Sequence, residues 1–210
     1  MNPFPIILSS PSGGGKTTIA RELLRRRTDL GYSVSCTTRA PRVGEVNGKD
    51  YYFLSTVEFE RRRDGGEFAE SAQVHENMYG TLRSEIQRVL SAGKHVVMDI
   101  DVQGARQFRR AFPESVTIFV LPPSAEILLE RLRQRQTESK EQLARRLQSA
   151  LQELQAVDEY QYVVVNDDLA KAVARVSAVI DAEVVRRERV AGLQQQVSQL
   201  VQRLEQELRD

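Results

Sequence analysis

The sequence predicts an α/β fold, a parallel sheet core with helices on both faces. Four short apolar runs, Ile6–Leu8, Val96–Ile100, Val116–Leu121 and Tyr162–Val165, recur between helical stretches. Continuous apolar runs suit strands buried on both faces, and their alternation with helices suits βαβ units. The first run leads into Ser10-Pro11-Ser12-Gly13-Gly14-Gly15-Lys16-Thr17-Thr18, a glycine-rich turn that opens a helix. With 210 residues and 40% hydrophobic content, the chain suits one domain with a sizeable core, plus a small insertion or extension.

The first strand, from Pro5, ends at this turn. Glycines let successive backbone N–H groups converge on phosphate oxygens, and the helix N-terminus adds a positive dipole end. Lys16 can reach β- and γ-phosphates, and the Thr17 hydroxyl can ligate Mg²⁺. A nucleoside triphosphate site over Pro11, Ser12, Gly13, Gly14, Gly15, Lys16, Thr17 and Thr18 is therefore expected. Ser10 stands where the full pattern has Gly, and its small side chain predicts little loss. The helix over 17–27 holds no Gly or Pro and puts Ile19, Leu23 and Leu24 on one side.

Residues 33–90 break the rhythm, with Pro41, Gly44, Gly48, Gly65, Gly66, Gly80 and three of the six tyrosines. Their Ser/Thr/Tyr/Phe alternation predicts a small mixed sheet, inserted as a substrate-binding subdomain. Further on, Val116–Leu121 ends at Pro122-Pro123, and Ser124 can cap the helix that follows. Ser139 and Gln142 form a capping box for a helix near Lys140. Asn166-Asp167-Asp168 closes the fourth strand and can cap the last helix. From Asp168 one long helix is expected, because no proline interrupts it. Its end carries Val190, Leu193, Val197, Leu200 and Leu204 at coiled-coil spacing, which predicts a homo-oligomer joined through a helical extension over 188–210.

Thirty basic and 29 acidic residues leave a net charge of +1, so there is no general case for a nucleic-acid partner. The positive charge is nevertheless grouped, at Arg39 and Arg42, at Arg131, Arg133 and Arg135, and at Arg145 and Arg146. In a chain with a phosphate loop, such groups suit a polyanion site. No apolar run approaches the ~20 residues of a membrane span, and no secretory signal is legible. The lone Cys36 allows no intrachain disulfide and is compatible with a cytoplasmic location.

The residues that point to an acceptor lie in the inserted region. Arg39 and Arg42 flank the rigid Pro41, among hydroxyls and tyrosines, and suit a phosphate monoester. Glu70, shortly before Met78-Tyr79-Gly80-Thr81, can accept hydrogen bonds from a base edge. Guanine offers two adjacent donors, N1–H and the 2-amino group, whereas adenine does not. A buried acceptor of this kind rejects a substrate that leaves it unpaired.

From about Phe4 to about Asp181 the chain resembles guanylate kinase. The resemblance rests on Pro11-Ser12-Gly13-x-Gly15-Lys16-Thr17, Thr37-Thr38-Arg39-x-Pro41-Arg42-x-Gly44-Glu45, Gly48-x-Asp50-Tyr51-x-Phe53 and Tyr79-Gly80-Thr81. It extends through Asp99-Ile100-Asp101-x-Gln103-Gly104, Arg131-Leu132-x-x-Arg135, Arg146-Leu147 and Val165-Asn166-Asp167-Asp168. It implies a P-loop nucleoside monophosphate kinase spanning 1–187, with a GMP-binding insertion over 33–90 and a lid over 134–146. The implied reaction is ATP + GMP ⇌ ADP + GDP, with dGMP a second acceptor and Mg²⁺ the cofactor. Arg39, Arg42, Tyr51 and Tyr79 are then implied to hold the GMP phosphate, and Ser35, Glu70, Thr81 and Asp101 to read guanine. Lys16 and the loop amides would hold ATP. Lys16, Arg39, Arg131, Arg135 and Arg146 would surround the transferring group, and Asp99 would join Thr17 at the metal. Two departures stand out: Ser71, where an aromatic is common, and Gln136, where Gly often follows Arg135. A non-catalytic phosphopeptide-binding module could dispense with the loop, but Gly13, Gly15, Lys16 and Thr17 are intact. Glu70 and Asp101 favour guanine over another acceptor.

Overall fold

A computed structural model describes residues 2–74, 76–133 and 140–209, with the backbone alone for 140–142. β1 (Pro5–Ser9) is buried at every position and leads through the glycine turn to α1 (Lys16–Arg26). β2 (Leu30–Tyr32) follows. The chain then leaves for a separate small sheet made of β3 (Cys36–Thr37), β4 (Tyr52–Phe53), β5 (Phe68–Val74) and β6 (Asn77–Leu82), with α2 (Thr56–Asp64) between β4 and β5. It returns through α3 (Arg83–Ser91), β7 (His95–Asp99), α4 (Val102–Ala111), β8 (Val116–Leu121) and α5 (Ala125–Arg133). α6 (Lys140–Leu154), β9 (Tyr162–Val165), α7 (Leu169–Val184) and α8 (Leu193–Glu207) complete the described elements.

The main sheet has the order β2-β7-β1-β8-β9, and every pair in it is parallel. Side chains alternate across a strand, so β1 divides its residues between two layers. Ile6 and Leu8 pack with Ile19 and Leu23 of α1 and with Val173, Val176 and Ile180 of α7. Ile7 packs on the other face with Ile86 and Val89 of α3 and Phe108 of α4. Fully burying each such side chain stabilises the fold by about 1.5–3 kcal/mol. Ligands of such sheets bind beyond the carboxyl ends of the strands, where β1 and β7 place Leu8 beside Asp99.

The small sheet is mixed, as expected: β3 pairs with β4 in parallel and with β6 antiparallel, and β5 pairs with β6 antiparallel. Ser124 and Asp168 cap their helices, accepting from the Ile127 and Lys171 N–H groups at 3.3 and 2.9 Å. Ser139 and the Gln142 side chain lie outside what is described.

The single long helix expected from Asp168 is corrected. α7 stops at Val184, although no proline or glycine stands there. The turn is fixed by Arg189, which donates to Glu183 Oε2 at 3.0 Å and to the Glu114 carbonyl at 2.8 Å, and lies over the Phe4 ring at 4.1 Å. Gly192 then adopts φ 67° and opens α8. On α8, Val197, Leu200 and Leu204 are exposed, Leu200 by 65% and Leu204 by 64%. Leu193 is half-buried, and Val190, just before the helix, is exposed.

Candidate active site

The phosphate loop is shaped by glycines at backbone angles that other residues rarely adopt. Gly13 and Gly15 take φ 85° and 95°, in the left-handed region. Gly15 caps α1 without a side chain, so the first N–H groups of that helix remain open to an anion. Ser10 is tolerated because Gly14 is opposite it: a Cβ on Gly14 would stand 2.7 Å from Ser10 Cβ. Asn166, at the end of β9, donates to the Gly14 carbonyl at 2.9 Å and braces the loop from outside. That brace was not anticipated, since Asn166 reads in sequence as a strand end.

Beside the loop, Thr17 Oγ1 donates to Asp99 Oδ2 at 2.5 Å. The other oxygen, Asp99 Oδ1, accepts from the Tyr32 hydroxyl at 2.7 Å. Burial, reinforced by the charge of Asp99, drives the Tyr32 phenol well above its ordinary range, so it stays a donor. Sequence reasoning missed Tyr32, which sits on an edge strand too short to be recognised.

α6 reaches the loop from the other side. Arg146 is buried; it donates to the Leu132 carbonyl at 2.9 Å and lies 3.5 Å from Ser12 Oγ. Glu153, two turns along the same face, accepts from the Ser12 N–H at 3.0 Å. Burial pushes the Glu153 carboxyl up, while Lys16 acts against it. Glu153 was also missed, because one acid in an amphipathic helix looks like any solvated residue. Arg131 extends from α5 to within 3.5 Å of the Gly13 carbonyl. Arg135 and Gln136 lie outside the described residues.

The small sheet supplies the opposite wall. Glu70 is only 5% exposed, and it accepts from Thr81 Oγ1 at 2.6 Å across the β5–β6 pair. Burial, aided by the charge of Asp101 and opposed by the Thr81 hydroxyl, pushes the Glu70 carboxyl up to about 7. Asp101 caps α4, accepting from the Gly104 N–H at 2.8 Å. Ser71 is clasped through its backbone by Gln107, at 3.1 Å to its N–H and 2.9 Å to its carbonyl. This clasp holds β5 on α4 without an aromatic at position 71.

The two arginines expected at a phosphate differ in state. Arg39 Nη2 is paired with Glu45 Oε1 at 2.9 Å, and Nη1 donates to the Ala40 carbonyl at 2.7 Å. Its guanidinium stands 5.5 Å from the Tyr51 ring centre, and Tyr51 meets Tyr79 edge to face at 6.1 Å. Arg39 holds the Glu45 carboxyl below the usual carboxylate range, with the Arg42 N–H assisting. Arg42 itself is exposed.

These walls enclose one cavity of about 420 Å³. Ser12, Lys16, Thr17, Ser35, Arg42, Tyr51, Glu70, Tyr79, Asp99, Asp101 and Arg146 all line it, with Glu153 among them. Arg39 and Thr81 stand behind the lining, against Tyr51 and Glu70 respectively. Among the described residues, no three His, Cys, Asp or Glu side chains cluster as a metal cage, and no helix is long and apolar enough to cross a membrane.

The guanylate kinase family model matches residues 2–183. This chain belongs to the guanylate kinase family. A guanylate kinase of Trichormus variabilis is 50% identical over 175 residues, covering 83% of this chain and 88% of that one. A guanylate kinase of Paramagnetospirillum magneticum is 47% identical over 196 residues, covering 93% and 92%. The crystal structure of guanylate kinase from Anaplasma phagocytophilum superposes with a TM-score of 0.76 at 36% identity, covering 92% of each chain. The expected P-loop kinase fold therefore stands. The family match ends within α7, so α8 lies beyond it.

Proposed function

We propose that the cleft transfers the γ-phosphoryl group of ATP to GMP, and to dGMP, giving ADP and GDP or dGDP. The observation that carries this reading is the shared cavity, which has phosphate-loop residues at one end and a buried carboxylate at the other. Lys16 and the loop amides hold the ATP phosphates. Arg42, Tyr51, Tyr79 and Arg39 hold the GMP phosphate, and Arg39 exchanges Glu45 for it. Glu70, with Ser35, Thr81 and Asp101, reads guanine. Arg131, Arg135 and Arg146 surround the transferring group.

Thr17 and Asp99 offer two hard oxygens beside Lys16, a donor set that fits Mg²⁺ taking its other ligands from water and phosphate. Bound there, the ion supplies charge neutralisation across the phosphates. The protein's own contribution is alignment and fixed positive charge. No general base is needed, because the acceptor phosphate is already an anion. Closure of a lid over 134–146 and of the 33–90 region excludes water and suppresses ATP hydrolysis. We read 1–187 as the kinase domain acting in the cytoplasm, and 188–210 as an extension that joins copies of the chain through the exposed face of α8.

ADP release measured with GMP, dGMP, AMP, CMP and UMP tests the reaction. Turnover should be confined to the two guanine nucleotides. Equal turnover of AMP and GMP would overturn the reading.

A further inference from the structure

We propose that Gly104 sets the guanine specificity of the cleft, as a positioning residue that leaves the Glu70 carboxylate room to face the base. The inference rests on the reading of Glu70 given above. Gly104 lies in the first turn of α4, and its N–H is bound by Asp101, so its backbone is fixed. A Cβ there would stand 2.7 Å from Glu70 Oε2 and 3.2 Å from its carboxyl carbon. Side-chain carbons do not approach oxygen so closely, so something must move. The helix backbone is held by its cap and packs on β5, whereas the carboxylate is the far end of a flexible side chain, held there by Thr81. The carboxylate is therefore what yields. It moves away from α4, and its bond from Thr81 Oγ1, now 2.6 Å, is disturbed with it.

Two adjacent donors on guanine demand a carboxylate in one plane and at one height. A displaced carboxylate still meets one of them and misses the other. Gly104 thus acts on recognition of the base and leaves the phosphate loop untouched. Ala is intrinsically better than Gly inside a helix by about 1 kcal/mol, which offsets part of the cost of disturbing that bond.

The test compares kcat/KM for GMP and for IMP, which keeps N1–H and lacks the 2-amino group, in the wild type, Gly104→Ala and Glu70→Gln. For Gly104→Ala, kcat/KM for GMP should fall about 10- to 100-fold, the range for losing a hydrogen bond to a charged group. The loss for IMP should be smaller, so the GMP-to-IMP ratio drops, while KM for ATP stays near wild type. A folded Gly104→Ala variant with the wild-type ratio overturns the inference, provided Glu70→Gln has lost it. If Glu70→Gln also keeps the ratio, the reading of Glu70 fails and the inference falls with it. Should Gly104→Ala not fold, the double variant Glu70→Ala/Gly104→Ala decides. Recovery of a folded protein assigns the failure to the conflict between the two side chains, and continued misfolding overturns the inference.

Discussion

GMP binding should release a proton from Glu70, and the size of the effect can be worked from its burial. The empty site holds this carboxyl at about 7, against 4.5 for an exposed glutamate. A base edge that presents two donors requires the ionised form. Only about 10% of empty sites are ionised at pH 6 and about 90% at pH 8, so this group alone should weaken GMP binding about tenfold between pH 8 and pH 6. The nucleotide phosphate also titrates near pH ~6, and Glu70→Gln supplies the reference that cancels it. Isothermal calorimetry at pH 6, in buffers of different ionisation enthalpy, should show wild type releasing about 0.9 proton more than Glu70→Gln. Parallel plots of log Kd against pH for the two proteins would refute the reasoning. The same shift has a stability side. Between pH 4.5 and about 7 the folded state keeps a proton that the unfolded chain has lost. This contribution is complete below 4.5 and disappears as pH rises through about 7, which amounts to about 3 kcal/mol. Denaturant titrations should find that loss in the wild type and not in Glu70→Gln.

Three further outcomes can be checked. Lys16→Ala should still bind GMP by calorimetry while turning over at least about 100-fold more slowly, as expected for a missing preorganised charge; near-normal turnover would move ATP away from the loop. Arg146→Ala should lower kcat more than it raises KM for GMP, and should cost about 1.5–3 kcal/mol of stability through the lost charged hydrogen bond to the Leu132 carbonyl; a large KM rise with kcat intact would make it a ground-state contact. Truncation after Arg189 should shift the mass toward monomer in light scattering coupled to size exclusion and spare GMP binding; a full-length protein that is monomeric at high micromolar concentration would leave the α8 face without a partner copy.

What the sequence made legible was whatever carries a local signature. The loop, four strands of the main sheet and the caps at Ser124 and Asp168 all have one. β2 does not, because Gly31 sits at its centre; a Cβ there would stand 2.5 Å from Val89 Cγ1, so packing demands the residue that erases the strand signal. α2 is polar on almost every side and buries only Phe59, so it has no readable period. The end of α7 depends on Arg189 meeting Glu183 and Phe4, a tertiary event without a breaker residue. The same holds within the site. Glu70 and the loop stand beside recognisable neighbours, whereas Glu153, Tyr32 and Asn166 acquire meaning only from partners 141, 67 and 152 residues away.

The pairing of Arg39 with Glu45 bears on which ligands the phosphate corner answers to. Glu45 is six residues from Arg39 on the same loop, so it is a tethered competitor. A group held on so short a tether acts at an effective concentration of about millimolar or more. Free orthophosphate must displace it with nothing but its own charge. A nucleotide whose base is already seated presents its phosphate from a tether of its own, and the exchange becomes one between equals. If Arg39 holds the GMP phosphate as proposed, displacement of this ion pair favours a whole nucleotide over a free anion.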